Sequence, residues 1–259
     1  MEPISLVTCA PGYPGTTAEA QRAMDSLASV LAQAAKWPSG SVAASYFPGE
    51  AEGLTRLGRP DAAIALVSLP FFLAHRDALG LKARMSVQTA ASGLTEQWTL
   101  VAKKGRVKTA ADLGTMTISS IAGYAPNFVR GALGAWGRIP DSAKIESSMQ
   151  VLSALRKAAT KPDAAVLLDG GQAASLSTLP FAKDLEVVAR SQPMPSALVA
   201  TVGTRLPEKR WGEVHKALLA LSSDAKGVAA LGTIRMVRFA PLDAAALAAA
   251  TAAWSGHAK

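Results

Sequence analysis

The residues whose types and spacing could do chemistry gather at the ends of apolar runs. Ser119 closes the alternating, β-branched run 115–119, and Ser120, Gly123 and Tyr124 follow it and precede Pro126. A strand that ends in hydroxyls and opens a helix turns free backbone N–H groups toward one spot, which suits an anion or a polar ligand group. Pro126 fits the first helical turn, where its missing N–H is no loss. Asp169 closes the run 163–168 ahead of Gly170 and Gly171, as either a ligand carboxylate or the cap of a turn. Ser68 and Phe71 follow the run 62–67, Trp98 opens the run 98–103, and Tyr13 lies in the Pro- and Gly-rich turn after residues 4–9. Tyr13 and Tyr124 each offer a hydroxyl and a ring face. The candidate ligand-binding set is Tyr13, Ser68, Phe71, Trp98, Ser119, Ser120, Tyr124 and Asp169.

Other chemistries lack their residues. His75, His215 and His257 lie far apart, with no His-x-x-x-His spacing and no cysteine partner, so neither a metal nor a cofactor is expected. There is no Gly-x-Ser-x-Gly and no phosphate-binding Walker loop. Gly131, Gly134 and Gly137 follow a helix-like segment rather than a strand, so they form no dinucleotide fingerprint. Cys9 is the single cysteine, which excludes an internal disulfide and reads as a small buried hydrophobe. No catalytic residue is expected.

The elements that must position the candidates alternate between strand-like and helix-like. Strands are expected at 4–9, 41–47, 62–67, 98–103, 115–119, 163–168, 185–190 and 196–202. Helices are expected from Thr17, at 50–57, from Pro126 to about Trp136, at 150–159, 211–221 and 243–253. The Ser68–Phe72 segment reads as an apolar loop. This alternation predicts an α/β fold with mainly parallel sheets, and ligands in such folds sit at the carboxyl ends of strands.

Composition narrows the class. At 259 residues the chain can hold two domains of ordinary size. Mean hydropathy is +0.21, much of it from alanine, yet the longest apolar stretch, 62–74, falls short of the about 20 residues a bilayer span needs. The first residues carry neither a basic flank nor a long apolar core, so no secretory leader is expected within the chain. The net charge of +8 permits attraction to anionic surfaces, but the basic residues are scattered. The densest group, Lys103, Lys104, Arg106 and Lys108, reads as a solvated loop, not a nucleic-acid interface.

In their order the motifs resemble the type II periplasmic solute-binding proteins of ABC transporters, in the phosphate/phosphite/phosphonate-binding branch. The matching features are the first strand with its Pro11–Pro14 turn, Asp61-Ala62-Ala63 leading to Ser68, and Glu96 to Lys103 as a first crossover strand. Ala111-Asp112-Leu113-Gly114, Ser119-Ser120 with Gly123-Tyr124, Asp163-Ala164-Ala165 with Asp169, and Pro193-Met194-Pro195 before a return crossover continue the series. The stretches 218–232 and 239–243 resemble the family's C-terminal helices. The resemblance implies two α/β lobes joined by two crossover strands, with lobe 1 at 1–97 plus 204–259 and lobe 2 at 98–203. It also implies an interlobe cleft that closes on a small-molecule ligand by hinge motion, a membrane transporter as partner, a periplasmic location and a monomer.

One departure bears on the ligand. Ile121 and Ala122 stand where oxyanion binders present further hydroxyls, and Ser68–Phe72 is apolar. A dianion without several charge-assisted donors does not recover its desolvation. The expected ligand is therefore apolar or amphipathic, lipid- or sterol-like, with its polar head on Ser119, Ser120 and Tyr124. The alternatives are a phosphate-, phosphite- or phosphonate-type oxyanion, and a small-molecule enzyme on the same fold with Asp169 or His75 as its titratable group.

Overall fold

The apolar face of the first helix shows how sequence period becomes packing. Met24, Leu27, Ala28, Leu31 and Ala32 recur at helical spacing, and all are buried. They belong to the core of the first of two compact units in the computed structural model of the chain, which describes residues 2–12 and 17–255. The units are Met1–Leu94 with Pro195–Asp243, and Thr95–Met194 with Ala244–Lys259.

The first unit begins β1 (Ile4–Cys9), α1 (Thr17–Ala34), β2 (Val42–Phe47), α2 (Glu50–Leu57), β3 (Ala62–Ser68), α3 (Leu69–Leu79) and β4 (Leu81–Thr89). The second unit runs β5 (Thr95–Glu96), β6 (Thr99–Lys103), β7 (Thr117–Ser120), α4 (Pro126–Gly131), β8 (Lys144–Ser147), α5 (Val151–Thr160), β9 (Ala164–Leu168), α6 (Gly170–Ala174) and β10 (Leu185–Arg190). A two-residue strand, β11 (Met194–Pro195), pairs with β5 where the chain leaves and re-enters the first unit. The first unit then resumes with β12 (Ala197–Val202), α7 (Glu208–Ala220), α8 (Ala225–Thr233) and β13 (Met236–Pro241), and α9 (Ala244–Ser255) packs on α4.

The first sheet is ordered β13-β4-β12-β3-β1-β2. β1, β2 and β3 are mutually parallel, while β12 runs antiparallel between β3 and β4. β3 is apolar and buried throughout except for half-buried Ser68 at its end, as a central strand covered on both faces requires. The second sheet is ordered β10-β6-β9-β7-β8, with β7 parallel to β8 and β9, and β6 antiparallel to β9 and β10. One of its faces is covered by α5, where Leu155, Ala158 and Ala159 meet Val101, Val166 and Leu168.

Several expectations need correction. The lobe boundaries shift because β12 belongs inside the first sheet and β6 inside the second, so both crossings precede these strands; α9 groups with the second unit rather than the first. Residues 69–79 form a helix, not a loop: Pro70 occupies its first turn, and Gly80, in the left-handed conformation, ends it. β4 and β13 were not expected, and 239–243 is the end of an edge strand rather than part of a helix. The helix expected to reach Trp136 stops at Gly131. No helix among the described residues is long and apolar enough to cross a membrane.

Candidate functional site

Parity along β7 decides what its two serines can do. Successive side chains of a strand point to opposite faces, and β7 shows this as an alternation of half-buried Thr117 and Ser119 with buried Ile118 and Ser120. Ser119 pairs with Val166, whose side chain belongs to the face packed on α5. Ser120 pairs with Leu167 and lies on the opposite face. The serines are thus strand residues rather than part of the turn, and only one of them projects on each side.

Antiparallel pairing brings Trp98 to Ser120's side. The ladder of β6 and β9 ends at Thr99 opposite Leu168, and Trp98 and Asp169 are the next residues beyond that end. The alternation of β6 and β9, continued by one residue, assigns Trp98 and Asp169 to the face of Leu167 and Ser120. The Trp98 ring meets Phe128 of α4 edge-on, with centroids 5.0 Å apart. Its backbone is held to Ser191, just past β10: the Trp98 N–H donates to Ser191 Oγ at 2.9 Å and its carbonyl accepts from the Ser191 N–H at 2.8 Å. Gln97 Nε2 adds a bond to the Ser191 carbonyl at 2.9 Å.

The turn after β7 is fixed by backbone. Ser120 Oγ accepts from the Ala122 N–H at 3.2 Å, and the Ser120 carbonyl accepts from the N–H groups of Gly123 at 3.1 Å and Ser148 at 2.9 Å. Gly123 lies so close to the end of β8 that a Cβ there would meet Glu146 O and Ser147 N at 2.4 Å. Half-buried Tyr124 follows, and α4 starts at Pro126 with Ala125 at its cap, a position that supplies no side-chain acceptor. Ile121 and Ala122 are 3% and 1% exposed. Their side chains are interior, which corrects the picture of an exposed apolar wall at this turn.

Asp169 caps α6. Its Oδ1 accepts from the Gln172 N–H at 2.7 Å, while Gln172 Oε1 accepts from the Asp169 N–H at 3.2 Å, a reciprocal capping box. Glu96, which sequence reasoning did not single out, joins this corner: it is buried, and its Oε2 accepts from the Gly170 N–H at 3.0 Å. The carboxyl edge of the second sheet therefore gathers Glu96, Trp98, Ser120, Tyr124 and Asp169, with Ser119 on the reverse face. Only the sequence order of Glu96-Gln97-Trp98 hinted at Glu96, and its role depends on a pairing with β9 that is nonlocal.

The other candidates lie in the first unit or outside the description. Ser68 ends β3, half-buried. Phe71 is fully buried in α3, its ring 4.7 Å from that of His75. His75, the other titratable group named for an enzyme reading, is half-buried and hydrogen-bonds Glu50 at 2.8 Å. Tyr13 lies outside the described residues. Cys9 is buried at the end of β1, and burial, reinforced by Glu50 and Glu52, pushes its thiol from 9.0 up to about 12. It is accordingly no thiolate nucleophile at neutral pH. Among the described residues no three His, Cys, Asp or Glu side chains gather as a metal site would require.

At the level of sequence no protein family and no curated protein matches the chain. Solved structures do match. The chain is similar to XAC2383 from Xanthomonas citri, bound to chloride ion, with a TM-score of 0.73 at 15% identity over 97% of this chain and 98% of that one. The same protein bound to ATP matches with a TM-score of 0.72. The binding protein component of an ABC phosphonate transporter from Pseudomonas aeruginosa matches with a TM-score of 0.64 at 14% identity, over 95% of this chain and 84% of that one. PhnD1 from Prochlorococcus marinus in complex with methylphosphonate gives 0.65 at 11% identity, over 98% and 97%. Likeness at such identities is a likeness of fold, and it extends over nearly the whole chain. The chain has the type II periplasmic solute-binding fold.

Proposed function

We propose that the chain is a non-catalytic solute-binding protein of an ABC transporter. In this reading it works as a monomer in the periplasm, holds a small polar solute that carries acceptor oxygens, and delivers it to a membrane partner. The observation that carries the reading is the gathering of Trp98, Ser120, Tyr124 and Asp169 at the carboxyl edge of the second sheet, where α/β folds bind ligands. A phosphonate-like oxyanion is favoured over a lipid. The argument for an apolar ligand rested on Ile121 and Ala122 in place of hydroxyls and on the apolar side chains of Ser68–Phe72; Ile121, Ala122, Phe71 and Phe72 are all interior and offer a ligand no apolar wall. Binding is favoured over catalysis because Asp169 is engaged as a helix cap and His75 with Glu50.

Calorimetric titration of the purified protein with methylphosphonate, inorganic phosphate and palmitate tests this. Saturable binding of methylphosphonate or phosphate, with none of palmitate, is expected. Binding of palmitate alone, or of none of the three, overturns the proposal.

A further inference from the structure

Trp98 holds a donor that the protein leaves unused. The side chain is 1% exposed, and its indole Nε1–H has no hydrogen-bond partner. Among the described residues of the second unit it is the only buried side-chain nitrogen or oxygen in that condition. A buried N–H without an acceptor costs stability, and native proteins rarely keep one without a use for it. Looseness of the ring does not account for it, since the backbone on both sides is tied to Ser191 and the ring is set against Phe128. Its polar neighbours on the same face are already engaged: Ser120 Oγ with the Ala122 N–H, and Asp169 Oδ1 with the Gln172 N–H.

We infer that the Trp98 indole N–H is the side-chain donor that recognises the solute, by hydrogen-bonding an acceptor oxygen of it at the carboxyl edge of the second sheet. The inference rests on the proposed function and deepens it, because it assigns selectivity to one atom. An indole N–H donates and cannot accept. The solute must therefore present an oxygen with a free lone pair at that point, as a phosphonate, phosphate or carboxylate does. The rigid ring needs no ordering when the bond forms, so little of the bond is lost to entropy.

The test uses 15N-labelled full-length protein and the probes methylphosphonate and inorganic phosphate. The chain has five tryptophans, so five indole resonances are available, and Trp98→Phe identifies the relevant one while keeping an aromatic ring against Phe128. Titration should move that resonance downfield in step with calorimetric saturation. Trp98→Phe should bind the same probe about tenfold or more weakly, as expected for losing a bond to a charged group, with a cooperative melt retained. If the variant does not fold, the wild-type shift decides, with the resonance assigned by Phe replacement at Trp37, Trp136, Trp211 and Trp254. A probe that binds while the resonance stays put, or while Trp98→Phe retains affinity, overturns the inference and leaves the proposed function standing; a permanently bound water on the N–H gives that result. Failure of both probes to bind the wild type overturns both.

Discussion

Replacing Gly123 by alanine asks whether the turn after β7 is as tightly seated as its geometry implies. The added Cβ would lie 2.4 Å from Glu146 O and Ser147 N, and 2.5 Å from Glu146 C. These are backbone atoms of a paired strand, so no rotamer change relieves them. Ordinary contact begins near 3.4 Å, so the turn and the end of β8 must part by about 1 Å. Overpacking of this kind costs about 1–3 kcal/mol. For a chain of this size that is a fall in melting temperature of about 2–4 °C per kcal/mol. The bond from the Ser148 N–H to the Ser120 carbonyl, 2.9 Å long, spans the same gap and should weaken with it. Calorimetric melting reads the first effect, and amide hydrogen exchange at Ser148 reads the second. Gly212→Ala serves as the control: it lies within α7, nothing stands within 4 Å of its Cβ position, and alanine there should add about 0.4–1 kcal/mol. A Gly123→Ala protein that melts with or above the wild type, with Ser148 still protected, would refute the close packing of turn and strand.

Three further outcomes are expected. Asp169→Ala should cost about 1 kcal/mol in urea denaturation through loss of the α6 cap, whereas Asp169→Asn, an equally good cap, should cost little; equal losses would mean that charge, not capping, matters. Cys9 should resist thiol reagents in the native protein at pH 8 and react once unfolded. Because its folded value is raised to about 12, its contribution to stability is constant below pH 9 and lost as the pH climbs toward 12, where the unfolded thiol ionises first; a native thiol that titrates rapidly at pH 8 contradicts this. Asp61 is held below the usual carboxylate range by its bond to Arg56 and then by Ser5, so stability is lost as pH falls through its range. Arg56→Ala should flatten that acid limb, and an unchanged limb in acid-unfolding curves would show that the pair contributes nothing.

Local signals carried far in this chain. The run 4–9, the helix 50–57 and the strand at 62–68 stand where period and turn residues put them, because each is bounded by its own punctuation. α3 was lost because Pro70 two residues after Ser68 resembles a turn, while it equally fits a helix's first turn; only the left-handed Gly80 at the far end distinguishes the two. β4 and β13 carry charges at Lys82, Arg84 and Arg238 that break the apolar pattern, which a sequence window penalises; β13 is an edge strand, and Arg84 of β4 reaches Glu208 of α7.

The candidate site was legible as a set of residues and illegible as an arrangement. The pair Ser119-Ser120 suggests two hydroxyls acting together, but the two-residue period of a strand forbids it, and the position of the strand's end by one residue decides which serine shares the face of Leu167. Asp169 shows the same limit: its capping box with Gln172 is local, whereas the approach of Glu96 to Gly170 needs the antiparallel register of β6 on β9. The indole of Trp98 is the sharpest case. Nothing in the string Glu96-Gln97-Trp98-Thr99 separates a tryptophan with a satisfied N–H from one without. The difference arises only in the folded chain, where Phe128 of α4 meets the ring edge-on, the side chain is buried, and no acceptor reaches the N–H.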